Sequence, residues 1–323
     1  MTTLIERVAG APITWGVCEV PGWGHQLPPA RVLREMSQLG LRATELGPKG
    51  YLPADPGRLR ELVAAHELDV VGGFLPFAMN GSAALEERVA DVATYADLLA
   101  AIGCRVLILA AGDASTAYES SRDLDDEGWA ALVRTIGGVD RVASERGLTV
   151  AVHPHHGTYI ERPQEVHRLL ETSSVDLCLD TGHVLVGGGD PHDLARDAAG
   201  RIAHVHLKDA SAELAEGVAT GRHGYAAAVR EGMYRPLGAG DLDVSGIVRT
   251  LHDSGYGGWY VLEQDTILDA APEEGDGPVR DASASVAFLR RMAAELDGDG
   301  PATSAGRARA ARDATSLARE EGA

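Results

Sequence analysis

At 323 residues, 45% of them apolar but only 5% aromatic, the chain can bury a sizeable core built chiefly from alanine, valine and leucine. Its 29 basic against 48 acidic residues give a formal charge of -19, which repels phosphate backbones and anionic membrane surfaces and excludes nucleic acid and membrane from the expected partners. The first residues lack a signal-peptide pattern, no apolar run approaches the ~20 residues of a membrane span, and Cys18, Cys104 and Cys178 make no Cys-x-x-Cys pair, so a cytoplasmic protein with reduced thiols is expected.

Short apolar runs alternate with helical patterns along the chain. Strands are expected at Val8–Thr14, Ala43–Leu46, Asp69–Leu75, Arg105–Ala110, Leu148–His153, Val175–Leu179, Ile202–Leu207 and Gly258–Gln264. Helices are expected between them at Pro29–Leu39, Asp55–Ala65, Glu127–Arg146, Pro163–Glu171, Asp190–Ala199 and Val244–Ser254, with Asp281–Leu296 after the last strand. The clearest is "AALEERVADVATYADLLAAIG", in which Leu85, Val89, Val92, Ala96 and Leu99 follow the spacing of one apolar stripe. Eight strands each followed by a helix is the count that closes a parallel (β/α)8 TIM barrel. A doubly wound open sheet is the alternative, weakened because no Gly-x-Gly-x-x-Gly follows the first strand. The segment Ser211 to Arg235 is longer than a usual strand-to-helix loop and predicts a lid or insertion. Residues 1–297 are expected to form one barrel domain, and 298–323, poor in large apolar residues, a disordered tail.

Alternate side chains of a strand point to opposite faces, and this parity sorts the polar residues. Ala151, His153 and His155 share the face opposite Val150 and Val152; Cys178 and Asp180 oppose Leu177 and Leu179; His204, His206 and Lys208 oppose Val205 and Leu207; Val261 shares a face with Glu263. Four consecutive strands thereby aim ionisable groups inward at their C-terminal ends, where barrels build active sites. Converging buried charges are costly without a counter-ion. Mixed histidine and carboxylate donors suit Mn2+, Co2+, Fe2+ or Zn2+ rather than Ca2+. Each residue taken alone also has a plainer reading: a strand-end carboxylate can cap the next helix, and a histidine can bond to backbone.

The stretches "APITWG", "ATELGPKGYLP", "HPHHGTYIE", "LDTGH", "HVHLKD", "PLGAGDLD" and "LEQD" resemble the xylose-isomerase-like barrels of sugar isomerases, epimerases and dehydratases, and within them most resemble the inosose dehydratases. The resemblance spans roughly residues 7–296. It implies one divalent metal, Mn2+ or Co2+ first and Zn2+, Fe2+ or Mg2+ as alternatives, held by Asp180, His206 and Glu263. The first ligand falls on Glu161, in a "GTYIE"-like segment the dehydratases share, or on His153, which stands where many relatives carry glutamate. The implied substrate is a small polyol, keto-cyclitol or ketose.

The implied chemistry is removal of a proton beside a ketone, followed by loss of a β-hydroxyl as water in a dehydratase, or by reprotonation of the neighbouring carbon in an isomerase or epimerase. Candidate proton-transfer groups are His155, His183, Lys208 and Glu263. Lys208 equally fits a salt bridge to Asp209 or Asp241, His183 a helix cap, and His156 a position pointing away from the barrel interior. Trp15 and Phe77 fit either a wall against a sugar or core packing. Glu45 and His153 are expected at the substrate, and Gly240, in "PLGAGD", lets backbone approach a ligand. A non-catalytic sugar-binding barrel is the reading from outside the enzymes, and pairing into a homo-oligomer is open.

Overall fold

In the computed structural model, which describes residues 3–79, 85–112 and 123–298, eight parallel strands close into a barrel. They are β1 (Val8–Gly10), β2 (Ala43–Glu45), β3 (Asp69–Ala78), β4 (Val106–Gly112), β5 (Thr149–Val152), β6 (Asp176–Asp180), β7 (Ile202–Leu207) and, last in the chain, β10 (Tyr260–Leu262), which pairs with both β7 and β1. The barrel is the architecture expected from the sequence. Tail residues 299–323 lie outside the described residues.

Strand parity divides the core in two. Val150, Val152, Leu177, Leu179, Val205 and Leu207 face outward into the main cluster, packed under α1 (Pro29–Gln38), α2 (Pro56–Ala64), α3 (Leu85–Ala101), α4 (Asp126–Ser144) and α5 (Pro163–Thr172). Ala151, Cys178 and Ile108 meet inside the barrel, and Ala9, Ala43 and Val261 form a second small inner cluster. Small side chains suit a barrel interior that eight tilted strands leave only just wide enough to fill. In α3 the stripe residues Val89, Val92, Ala96 and Leu99 are buried as their spacing requires, the valines and the leucine each contributing about 1.5–3 kcal/mol; the side chain of Leu85 lies outside the described residues.

Differences from the expected elements have local causes. β1 stops at Gly10, because Pro12 has no N–H for the ladder and starts a 3-10 turn over Pro12–Trp15. After β6 the chain enters α6 (Thr181–Val186) at once, the Asp180 carboxylate accepting the backbone N–H of His183 at 2.8 Å. α7 (Pro191–Asp197) follows, capped by Asp190. Segment 211–235 holds α8 (Ala212–Ala219) and α9 (Tyr225–Arg230), its ends joined by a short antiparallel pair, β8 (Asp209–Ala210) with β9 (Tyr234–Arg235). α10 (Val244–Asp253) and α11 (Pro278–Gly298) complete the ring.

Candidate active site

The barrel register puts the expected polar residues on one level at the C-terminal end. Asp180 is the partner of His206 across β6 and β7, and Val261 is the partner of His206 on β10, so that Glu263 emerges just above. Asp180, His206 and Glu263 each offer a donor atom within 4.8 Å of the others. His206 Nδ1 lies 3.1 Å from Glu263 Oε2 and 3.4 Å from Asp180 Oδ2, yet among the described residues it has no hydrogen-bond partner. His153, on the chain just beyond β5, brings its Nε2 to 3.1 Å from Asp180 Oδ2, while its buried Nδ1 has no partner among the described residues.

Lys208 closes the other side. Its Nζ donates to Asp180 Oδ2 at 2.8 Å and Glu263 Oε2 at 2.7 Å, and lies 3.1 Å from Asp265 Oδ1; it makes no bridge to Asp209 or Asp241. Burial opposes its charge, but Asp180, Asp265 and Glu263 outweigh burial and hold its pKa well above the ordinary lysine value. Burial likewise opposes ionisation of Asp180, and Lys208 and His183 more than reverse it, so this carboxyl sits well below its usual range. Glu263 is lowered against burial by His206 and Lys208, and His206 is raised against burial by Cys178, Glu263 and Glu45. Four buried carboxylates (Glu45, Asp180, Glu263, Asp265) thus surround one ammonium and a set of imidazoles. An acid-rich, dry cluster with an orphaned imidazole nitrogen facing two carboxylates fits a divalent cation, whose charge would offset the surplus.

His155 and His183 stack 3.9 Å apart between ring centroids, both buried. Burial first, and neighbouring positive groups second, hold both well below the usual histidine pKa, so they stay neutral and able to accept a proton. His155 Nδ1 donates to the carbonyl of His156 at 2.7 Å. These two rings line a cavity together with Phe74, His153, Lys208 and Glu263, and the cavity adjoins a cleft of about 980 Å³ lined by Leu46, Tyr51 and Phe77.

Several expected positions are placed elsewhere. Glu161 is not brought to Asp180, His206 and Glu263. The loop after β5 turns back on itself through His155 N–H to Ile160 O (3.0 Å) and the Thr158 hydroxyl, and Glu161 accepts instead from His156 Nδ1 at 2.6 Å and Gly157 N–H at 3.1 Å. His156 is accordingly buried, its ring stacked 4.9 Å from Tyr225. Trp15 packs in the main core with its indole N–H on Glu35 Oε2 at 2.7 Å, and the tryptophan that lines the cavity is Trp23. Gly240 serves an internal carboxylate: the amides of Gly238, Gly240 and Leu242 cradle buried Asp209 at 2.8–3.1 Å, and a Cβ on Gly240 would collide with Asp209 Oδ1. Glu45 does reach the site, with His204 and His206 as its partners.

Two residues that sequence reasoning overlooked come from the insertion. Tyr225, at the start of α9, donates to Asp265 Oδ2 at 2.5 Å and lies 3.1 Å from the Tyr234 hydroxyl, and Tyr234 covers Lys208 with Nζ 5.6 Å from its ring centre. Gly182 permits that cover, since a Cβ there would meet Tyr234 Cε1 at 2.6 Å and Lys208 Cβ at 2.8 Å. The available signal was two tyrosines within a segment already too long for a loop.

A family model described as the xylose isomerase-like TIM barrel matches residues 33–292. The chain belongs to this family. Within it the similarity runs to the inosose dehydratase branch: the chain is 31% identical over 268 residues to an inosose dehydratase of Geobacillus kaustophilus, covering 80% of this chain and 86% of that protein. It is 32% identical over 272 residues to the rhizopine catabolism protein MocC of Rhizobium meliloti, covering 80% and 81%. Among solved structures, an L-ribulose 3-epimerase superposes with a TM-score of 0.67 at 17% identity over 92% of this chain and 98% of its own. The probable 3-DHS dehydratase AsbF of Bacillus anthracis gives 0.66 at 15% over 88% and 98%. Both structures share the fold. Membership of the dehydratase branch makes the chain an enzyme of the hydro-lyase type, and among the described residues no helix is long and apolar enough to cross a membrane.

Proposed function

We propose that the chain removes water from a keto-cyclitol of the 2-keto-myo-inositol kind, with a divalent cation held by Asp180, His206 and Glu263 and with His153 as the neighbouring donor. The observation that carries this reading is the convergence of two carboxylate oxygens on the unpartnered Nδ1 of His206, in a chain whose relatives include inosose dehydratases. A cation there supplies Lewis acidity toward a carbonyl and its neighbouring hydroxyl. Mn2+ and Co2+ suit the oxygen-rich donor set with one or two imidazoles.

The chain's own groups complete the reaction. One of His155 and His183, both neutral and inside the cavity, takes the proton from the carbon beside the ketone. Lys208, protonated and held between Asp180 and Glu263, hands a proton to the departing β-hydroxyl, so that water leaves and the carbon–carbon double bond forms. Glu263 steers Lys208 through its 2.7 Å contact. Tyr225, which lines the cavity, and Tyr234, which covers Lys208, shield these groups from bulk water that would compete for the proton transfers.

The test is mass spectrometry of products from Mn2+- or Co2+-loaded protein in deuterated water with 2-keto-myo-inositol and a panel of ketoses. A product lighter by one water is expected. An unchanged skeleton carrying solvent deuterium would replace this reading with isomerisation or epimerisation, and no reaction or exchange with any substrate would overturn the substrate class.

A further inference from the structure

We infer that Glu45 is a positioning residue that fixes the tautomer of His206, so that Nδ1 of this imidazole faces Asp180 and Glu263 with its lone pair. The inference rests on the reading that these three residues hold a divalent cation, and it adds a residue outside the ligand set.

Glu45 ends β2, where the pairing register with β3 shifts between Thr44 and Glu45, and its side chain turns into the barrel. It is 2% exposed. A single oxygen, Oε1, lies 2.7 Å from His204 Nε2 and 2.8 Å from His206 Nε2. An ionised carboxylate only accepts, so both Nε2 atoms carry a proton, and His206, in the neutral form that can hold a cation, is bare at Nδ1. For His206 that bare nitrogen is the one at 3.1 Å from Glu263 Oε2 and 3.4 Å from Asp180 Oδ2, with no hydrogen bond to either. The opposite tautomer would point an N–H at the two carboxylates and close the place to a cation. A carboxylate behind a ligating histidine also raises its basicity and fixes its ring orientation.

His204 belongs to the same device. Its Nδ1 is buried and unpartnered, it lies one alternate position below His206 on β7, and its one polar contact among the described residues is Glu45. Two imidazoles at a fixed spacing on one rigid strand hold the Glu45 oxygen at a single point, which keeps the carboxylate from swinging toward a cation itself.

The test uses the full chain labelled with 15N-histidine, freed of metal with chelator and then titrated with Co2+ alone. In the wild type, at a pH high enough for His206 to be neutral, long-range proton–nitrogen spectra are expected to show the ring protonated at Nε2. Glu45→Ala is expected to lose that preference and to weaken Co2+ binding by about 10–100-fold with the barrel folded by circular dichroism, whereas Glu45→Gln, whose amide oxygen can still accept, recovers much of both. Glu45→Asp, which keeps the charge but withdraws the oxygen, serves where the alanine variant does not fold and is expected to weaken binding likewise. A Glu45→Ala or Glu45→Asp protein that binds Co2+ as tightly as wild type, with His206 still protonated at Nε2, overturns the inference. A wild type that binds no Co2+ overturns the cation reading instead, and the tautomer in the variants then decides separately whether Glu45 governs His206.

Discussion

His153 and Glu161 sit eight residues apart and illustrate how far a strand pattern reaches. Parity carried His153 inward correctly, because it continues the alternation of β5 by one residue, and the structure sets its Nε2 3.1 Å from Asp180 Oδ2. No periodicity describes the turn that follows, and the destination of Glu161 is decided by hydrogen bonds within that turn, to His156 and Gly157. The consequence is a prediction that separates the two. His153→Ala is expected to lower Co2+ retention after gel filtration by tenfold or more, in the range typical of losing a ligand or its close partner. Glu161→Ala is expected to leave metal bound and to cost about 1–3 kcal/mol of stability, because buried His156 Nδ1 and the Gly157 amide lose their acceptor. Loss of metal from Glu161→Ala with full retention in His153→Ala would reverse the assignment.

Elements were more legible than the loops that arm them. The eight strands and the helices on them follow from two periods, 2.0 and 3.6, and the apolar faces they imply, whereas the insertion between β8 and β9 has no long stripe, and its two short helices are stabilised by packing around Tyr225, Val229, Met233 and Tyr234. The "PLGAGD" turn was legible as a close approach but not as to what approaches. It wraps Asp209, which anchors the insertion beside the site through four amides, Ala210, Gly238, Gly240 and Leu242. Gly240→Ala forces a Cβ onto Asp209 Oδ1 and to 2.7 Å from the Ala210 amide nitrogen, so the turn and β8 must separate. A loss of about 1–3 kcal/mol in unfolding free energy, the usual cost of overpacking, is expected by urea titration, together with a raised KM as Tyr225 and Tyr234 shift. An unchanged unfolding midpoint would mean that the turn is free to move and anchors nothing.

For the whole molecule, the buried histidines couple folding to pH. An unfolded histidine takes up a proton near pH 6.5. His155 and His183, held well below that by burial and by their positive neighbours, remain unprotonated in the fold. Below pH ~6.5 the unfolded chain therefore binds more protons than the folded one, and stability falls as pH falls, by up to about 1.4 kcal/mol per pH unit for each such histidine. His206 is raised, so its contribution is already complete below pH ~6.5 and is lost only as pH rises through its higher folded value; it does not cancel the trend. Asp180 and Glu263, lowered by Lys208 and His206 respectively among their partners, withdraw their support only at more acidic pH, where unfolded carboxyls begin to protonate. Chelator-treated protein is thus expected to lose stability steadily from pH 6.5 to 5.0 by urea titration, and a His155→Gln, His183→Gln double variant to show a distinctly flatter profile. The charge of -19 predicts the opposite slope, since repulsion among surface carboxylates eases as pH drops. A wild-type stability that holds or rises over this interval would mean that surface repulsion outweighs the buried imidazoles.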